Sequence, residues 1–371
     1  MDDGRFERWM VAWGERRTRR GFGALAAGMI AALGVGMEAG AKKKKKKKNK
    51  KKPQSPAFGY EFAIKWGSEG TADGQFSAPE AVAADGSGNI FVADIGNDRV
   101  QRFSSSGVFG AKWGSAGAFN GGFSYVDGIA VAPDGSVYVV DSDFDRVQKF
   151  SSAGTFQLTW GSSGNQDGKF NFPTCVAVDA GGNVYVGDAG HSRIQKFDSS
   201  GGFITKFGTN GSGEGQFRGI RGVGVDGDGN IYVAEFLNNR VQKFNSAGIF
   251  QTKWGNFGGL TDIAVAANGR VFTLESGLGQ VNRDPFKRVQ VFDSSGGFLA
   301  KFGSGGSGEL QFGDPHGITV DGDGNVYVAD YEKNRVQKFA PVNGDLRLSA
   351  QASRPRQRRA QRRDTEKRRR R

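Results

Sequence analysis

One cysteine, two histidines and four methionines are all that 371 residues contain of these types. A single thiol, Cys175, permits no internal disulfide, so packing and hydrogen bonds must hold the fold. Long hydrophobic runs are missing too. The most apolar stretch, residues 22–37, is Gly/Ala-rich and falls short of the about 20 residues that span a bilayer. No nucleophile elbow, HExxH pair or phosphate loop is present. Zinc generally asks for three or four N, S or O ligands, and His191 and His316 are the only imidazoles.

Glycine, by contrast, is plentiful at 60 residues, and it sits in a repeat. The stretch DGDGNVYVADYEKNRVQKF (321–339) has relatives at 85–103, 133–150, 179–197 and 226–244, and a stretched version at 267–292. The arginine before VQ or IQ fixes the register: Arg99, Arg146, Arg193, Arg240, Arg288 and Arg335, spaced 47, 47, 47, 48 and 47 residues apart. A period of about 45 built from short alternating strands reads as propeller blades. Each unit gives four strands. Strand a is short and apolar, suiting an innermost strand packed on both faces. An Asp-Gly or Gly-Asn turn leads to an alternating strand b. Strand c is the Arg-Val-Gln-Lys-Phe run. A Ser-Ser-Gly turn precedes strand d, which ends on Trp66, Trp113, Trp160, Phe207, Trp254 or Phe302.

The first of those endings precedes any other strand, and the last unit stops after strand c at Phe339. Residues 60–66 therefore should form the outer strand of the last blade, joining the two ends and covering an exposed edge. The expected fold is all-β: a six-bladed propeller of four-stranded antiparallel blades, closed by an N-terminal strand. Because single blades cannot bury their own faces, the repeat makes one domain of residues 58–340.

Outside it, residues 1–41 read as an export signal. Thr18-Arg19-Arg20-Gly21-Phe22 resembles the twin-arginine pattern, and Ala39-Gly40-Ala41 is an A-x-A-type cleavage site; an uncleaved anchor is the alternative. The expectation is an exported protein, extracellular or held at the cell envelope. Residues 42–57 form a linker that opens with ten lysines and Asn49, and residues 341–371 an arginine-rich tail. Like-charge blocks repel themselves, so both are expected to be disordered. Residues 58–340 carry 23 Lys+Arg against 30 Asp+Glu, a net −7, so the overall +13 belongs to the tails. These could hold an anionic envelope polymer, a lipid surface or nucleic acid by charge attraction; a solvated tail without a dedicated partner is the plain alternative. An acidic propeller is itself a poor phosphate-binding face.

The unit G-x-G-Q-F-x-x-P-x-G-I-A-V-D-x-x-G-N-V-Y-V-A-D-x-x-N-x-R-V-Q-K-F resembles the NHL repeat, and residues 308–339 follow it closely. The resemblance implies a six-bladed propeller, in agreement with the strand count. It implies no single activity, since such propellers include protein- and RNA-binding modules, sensor domains and a zinc-dependent amidating lyase. The lyase uses three histidines, which this chain cannot supply. Function must be argued from the site.

The repeated pairs Asp94/Arg99, Asp141/Arg146, Asp188/Arg193, Glu235/Arg240 and Asp330/Arg335 read as scaffold, because a feature of every blade cannot single out one centre. Differences between blades are more telling. Propeller d–a and b–c loops share one face, and the residue two before the first β-residue of each strand a should lie near the channel mouth there. These are Glu80, Asp127, Thr174, Arg221, Thr261 and His316. They suit a small ligand or a cation, or else are solvated residues around a water-filled channel. Blade five has a short d–a loop (255–260) and a long b–c loop (276–287) containing Asn282, Arg283 and Asp284; with Phe236 and Tyr331 in neighbouring b–c loops these make a candidate partner surface, or a tolerated insertion. The resulting expectation is a non-enzymatic binding propeller for a protein, peptide or glycan, without cofactor. The alternatives are a metal-assisted hydrolase or lyase at the mouth, with a calcium-type oxygen site on Glu80 and Asp127, and nucleic-acid binding through the tails.

Overall fold

The computed structural model describes residues 59–277 and 286–342. The export-signal, linker and tail readings, together with Asn282, Arg283 and Asp284, lie outside the described residues. Among those described, no helix is long and apolar enough to cross a membrane.

Six four-stranded antiparallel sheets stand in a ring. Blade one runs Pro79–Ala84, Asn89–Asp94, Arg99–Ser104 and Phe109–Trp113, from the inside outward. Blades two to five repeat this order, with inner strands Val126–Val131, Pro173–Val178, Ile220–Val225 and Leu260–Val265. In blade six, Pro315–Val320, Val326–Asp330 and Arg335–Val342 are completed by Gly59–Trp66. Gly59 pairs with Val342, Phe62 with Phe339 and Trp66 with Val336. The expected closure is thus present, with strand c three residues longer than its repeat motif. Each inner strand packs on the next, and that of blade six on that of blade one.

The core lies between blades rather than within them. Tyr138, Val140 and Val147 of blade two interleave with Phe170, Val176 and Phe197 of blade three in one buried cluster. The phenylalanine of the Gln-Phe motif recurs as a plug, with Phe76, Phe123, Phe170, Phe217 and Phe312 fully buried. Burying a side chain of that size stabilises by roughly 1.5–3 kcal/mol, and the repeat applies it at each junction; in blade five, where the loop is too short, Phe257 takes the place. The c–d turns require glycine. At Gly154, φ is +89° and a Cβ would lie 2.5 Å from the Trp113 ring. The turn thus folds flat beneath the tryptophan of the preceding blade.

The scaffold pairs do more than brace the b–c turn. Asp94 accepts from Arg99 Nε at 2.8 Å and from the Ser77 N–H at 2.7 Å. Arg99 donates onward to the carbonyls of Thr71, Ala72 and Gln75. One carboxylate and one guanidinium therefore tie the b–c turn to the whole d–a loop, and the equivalent residues repeat this around the ring. A sixth pair, Glu275/Arg288 at 2.8 Å, belongs to the series. The stretched loop separates its members by 13 residues, which hid the pair in the sequence. With no long d–a loop to hold, Arg288 lies over the Phe286 ring, 4.0 Å from its centre.

Candidate functional site

Every inner strand contains the same irregularity. In blade one Pro79 pairs with Asp94 and Ala81 with Ala93, leaving Glu80 as an extra residue. The same bulge isolates Asp127, Thr174, Arg221, Thr261 and His316. A bulge re-aims the side chain it carries. The six residues are therefore inside strand a, at its second position, rather than ahead of it. All six line one cavity of about 220 Å³ bounded by the six inner strands.

The ring is uneven. His316 Nδ1 lies 2.8 Å from Glu80 Oε2, its Nε2 lies 3.3 Å from Asp314 Oδ2, and its ring stacks on Tyr331 at 4.5 Å. Burial would depress this imidazole, but the Glu80 and Asp314 carboxylates outweigh it and raise the pKa to about 10. His316 is thus an imidazolium at neutral pH. Asp127 accepts from the Ser142 hydroxyl, which also lies 2.6 Å from the Pro173 carbonyl oxygen. Tyr125 is raised well above the usual tyrosine value, first by burial and then by Glu80 and Asp127.

Thr174 and Thr261 are used differently. Their hydroxyls donate to the carbonyls of Ile220 and Pro315, each on the inner strand of the next blade. These two are ties between blades. Arg221, half-buried, lies on blade four, across the ring from Glu80 on blade one.

Asp262 was not anticipated. Its carboxylate accepts from the Ile263 and Ile318 N–H groups at 2.7 and 2.9 Å. Burial pushes it up, to about 7, against the pull of those donors; Glu80 adds to the rise and His316 opposes it. A signal did exist: the third position of strand a is Ala81, Gly128, Cys175, Gly222 or Gly317 in the other blades. A Cβ on Gly222 would lie 2.7 Å from Asp262 Oδ1, and one on Gly317 would meet the Ala81 backbone at 2.7 Å. Small residues let adjoining strands approach, and only blade five places a charge there.

Of the expected partner surface, Tyr331 stands at the mouth against His316, whereas Phe236 is buried and offers little surface. Cys175 is buried, and its thiol is pushed up to about 12 by burial; it packs as a small hydrophobe. His191 sits against the scaffold carboxylate Asp188, at 3.0 Å, away from the mouth ring. Among the described residues, no three His, Cys, Asp or Glu side chains gather as a metal-holding group.

The NHL repeat family matches residues 170–197, 217–244 and 312–339, each spanning the end of a d–a loop through strand c. The chain thus carries NHL repeats within a six-bladed β-propeller. No curated protein sequence matches this NHL propeller. Among solved structures it is similar to a streptogramin B lyase, at 13% identity and a TM-score of 0.53, covering 78% of this chain and 100% of that one. A gluconolactonase from Xanthomonas campestris gives 15% and 0.54, covering 73% and 88%. A catalytically inactive virginiamycin B lyase from Staphylococcus aureus with quinupristin gives 13% and 0.51, covering 76% and 98%. At such identities the likeness is one of fold.

Proposed function

We propose that this NHL propeller is a binding protein that recognises a protein, peptide or glycan with the face on which its d–a and b–c loops lie, and that it does so outside the cytoplasm. One observation carries the reading. The scaffold is repeated in every blade, but the bulged position is not: it places His316, Glu80 and Asp127 on three consecutive blades, six, one and two. Tyr331 and Tyr125 accompany them. An arc of aromatic rings, two carboxylates and an imidazolium suits recognition by stacking and charge-assisted hydrogen bonds.

The state of His316 speaks against that residue as a general base. An imidazolium held between two carboxylates is a poor base at neutral pH, where a catalytic base works best with a pKa near the operating pH. The neighbouring lyases and gluconolactonase lend their fold and not their reactions.

The test is affinity capture on the full chain, compared with a Glu80→Gln/Asp127→Asn double variant and with Thr155→Ala, on a c–d turn of the far face, as control. A partner retained by the native chain and by the control, but lost at least about tenfold by the double variant, supports the reading. Equal retention by all three overturns it. Metal analysis of the same samples completes the test: stoichiometric metal lost in the double variant would turn the assignment to a metal-assisted hydrolase or lyase.

A further inference from the structure

The two ends of the described chain meet. Gly59 and Val342 are cross-strand partners in blade six, and the pairing runs from them to Trp66 and Val336. Trp66 leads directly into the d–a loop and so to the mouth; Gly59 and Val342 therefore stand at the opposite end of the blade. Six residues separate Gly59 from the last lysine of the 42–52 run, and Arg354 follows Val342 by 12. The first run carries ten lysines, and residues 354–371 carry ten arginines and Lys367 against Asp364 and Glu366. The segments leading to both basic runs thus leave the propeller at one point, on the face away from the mouth.

We propose that the two runs act as a pair of arms that hold the propeller to an anionic lipid bilayer with its mouth directed outward. The proposal is independent of what the mouth binds. Each arm has the chemistry for headgroups alone: apart from Pro355 and Ala360 neither run carries an apolar residue that could enter hydrocarbon, so attraction to acidic headgroups must supply the binding. Anchoring both arms at one point makes the second contact effectively intramolecular, which multiplies affinity without any new contact. A bilayer accepts both arms whatever their directions, whereas a linear polyanion accepts the second only where it passes. The propeller itself is acidic, net −7 over residues 58–340, and on that same face its a–b turn aspartates are engaged by their own turns while strand-c lysines such as Lys196, 3.9 Å from Asp179, stand beside them. The body therefore adds no strong attraction of its own to an acidic surface, and the arms must carry the binding.

The test uses the full chain and vesicles of phosphatidylcholine with about a third phosphatidylglycerol, at low and at high salt. Three variants are compared: the ten lysines of 42–52 changed to glutamine, the arginines of 354–371 changed to glutamine, and both. Each single variant should bind vesicles at least about tenfold more weakly and the double variant not measurably, with native binding falling steeply with salt. Fluorophores at Ser106→Cys on a c–d turn and Ser162→Cys on a d–a loop, read with a headgroup quencher, should show the first quenched more than the second. Binding that ignores either substitution or salt, as insertion of residues 22–37 would give, overturns the proposal. So does equal quenching at the two positions, or capture of single-stranded DNA without capture of vesicles.

Discussion

A buried carboxylate recurs in every blade, and its partners explain why it is tolerated. Asp188 is fully buried and accepts from Arg193 Nε at 2.7 Å, the Asn171 N–H at 2.8 Å and Gln195 Nε2 at 3.2 Å. Arg193 spends its remaining donors on the carbonyls of Asn165, Gln166 and Lys169. Removing one member leaves the other buried and uncompensated, which costs about 3–5 kcal/mol. Asp188→Ala should lower the unfolding free energy in urea by that amount at pH 7, and a loss below about 1 kcal/mol would mean that Arg193 finds water instead. His316 gives a prediction with a pH sign. Its folded pKa, about 10, stands above the unfolded value of about 6.5. The stabilisation is therefore full below pH 6.5 and is lost as pH rises towards 10. The stability difference between the native chain and His316→Gln should shrink across that window, by at most about 1.4 kcal/mol per pH unit. A difference that stays flat across that window would show that His316 is neutral in the fold.

At the scale of the element, the closing strand Gly59–Trp66 has the most to hold. Tyr60 stacks on Phe302 at 4.9 Å and meets Phe272 edge-on at 5.9 Å, so it fastens blade six to blade five. Phe62 meets Phe339 within the blade, and Trp66 meets Phe103 of blade one. Tyr60→Ala should cost about 3–5 kcal/mol, as large-to-small core changes do. Limited proteolysis should then cut first near blade six; cleavage starting elsewhere would place the weak point in another blade. This strand was legible from a count, because five complete units leave one strand d without a blade and one blade without a strand d. The bulge was not. Alternation of apolar and polar residues fixes which face a residue takes, but an extra residue opposite none changes neither composition nor period. Glu80 and its equivalents were recognisable as different, yet appeared to precede the strand that contains them. Asp262 was not legible because the bulge at Thr261 shifts the register of its strand, and period alone does not show which residue then turns towards the neighbouring strands. The Glu275/Arg288 pair was hidden for a related reason: a register read by fixed spacing fails where a loop is stretched, although strand pairing restores it.

For the whole molecule, ring closure by hydrogen bonds between distant parts of one chain predicts that the position of the ends is arbitrary. Gly59 and Val342 are direct partners in an antiparallel pair, so a two-residue Asn-Gly turn can join them as in any hairpin. A circular permutant that links Val342 to Gly59 in this way and opens the chain between Ser105 and Ser106 keeps every blade strand. It makes the closure of blade six local but hands the same separation, about 280 residues, to the pairing of Arg99–Ser104 with Phe109–Trp113, so the loop-closure entropy is moved to blade one and not removed. It should fold, refold at about the native rate and show a urea midpoint close to the native one. If the permutant failed to fold, or its midpoint fell by an amount comparable to the loss of Tyr60, the native ends would have to contribute more than a latch. Because the permutant moves the ends to the c–d turn of blade one, both basic runs can be regrafted there. Vesicle affinity kept at the new position, with the same face still quenched, would show that the anchoring follows the charge and the face and not the particular blade.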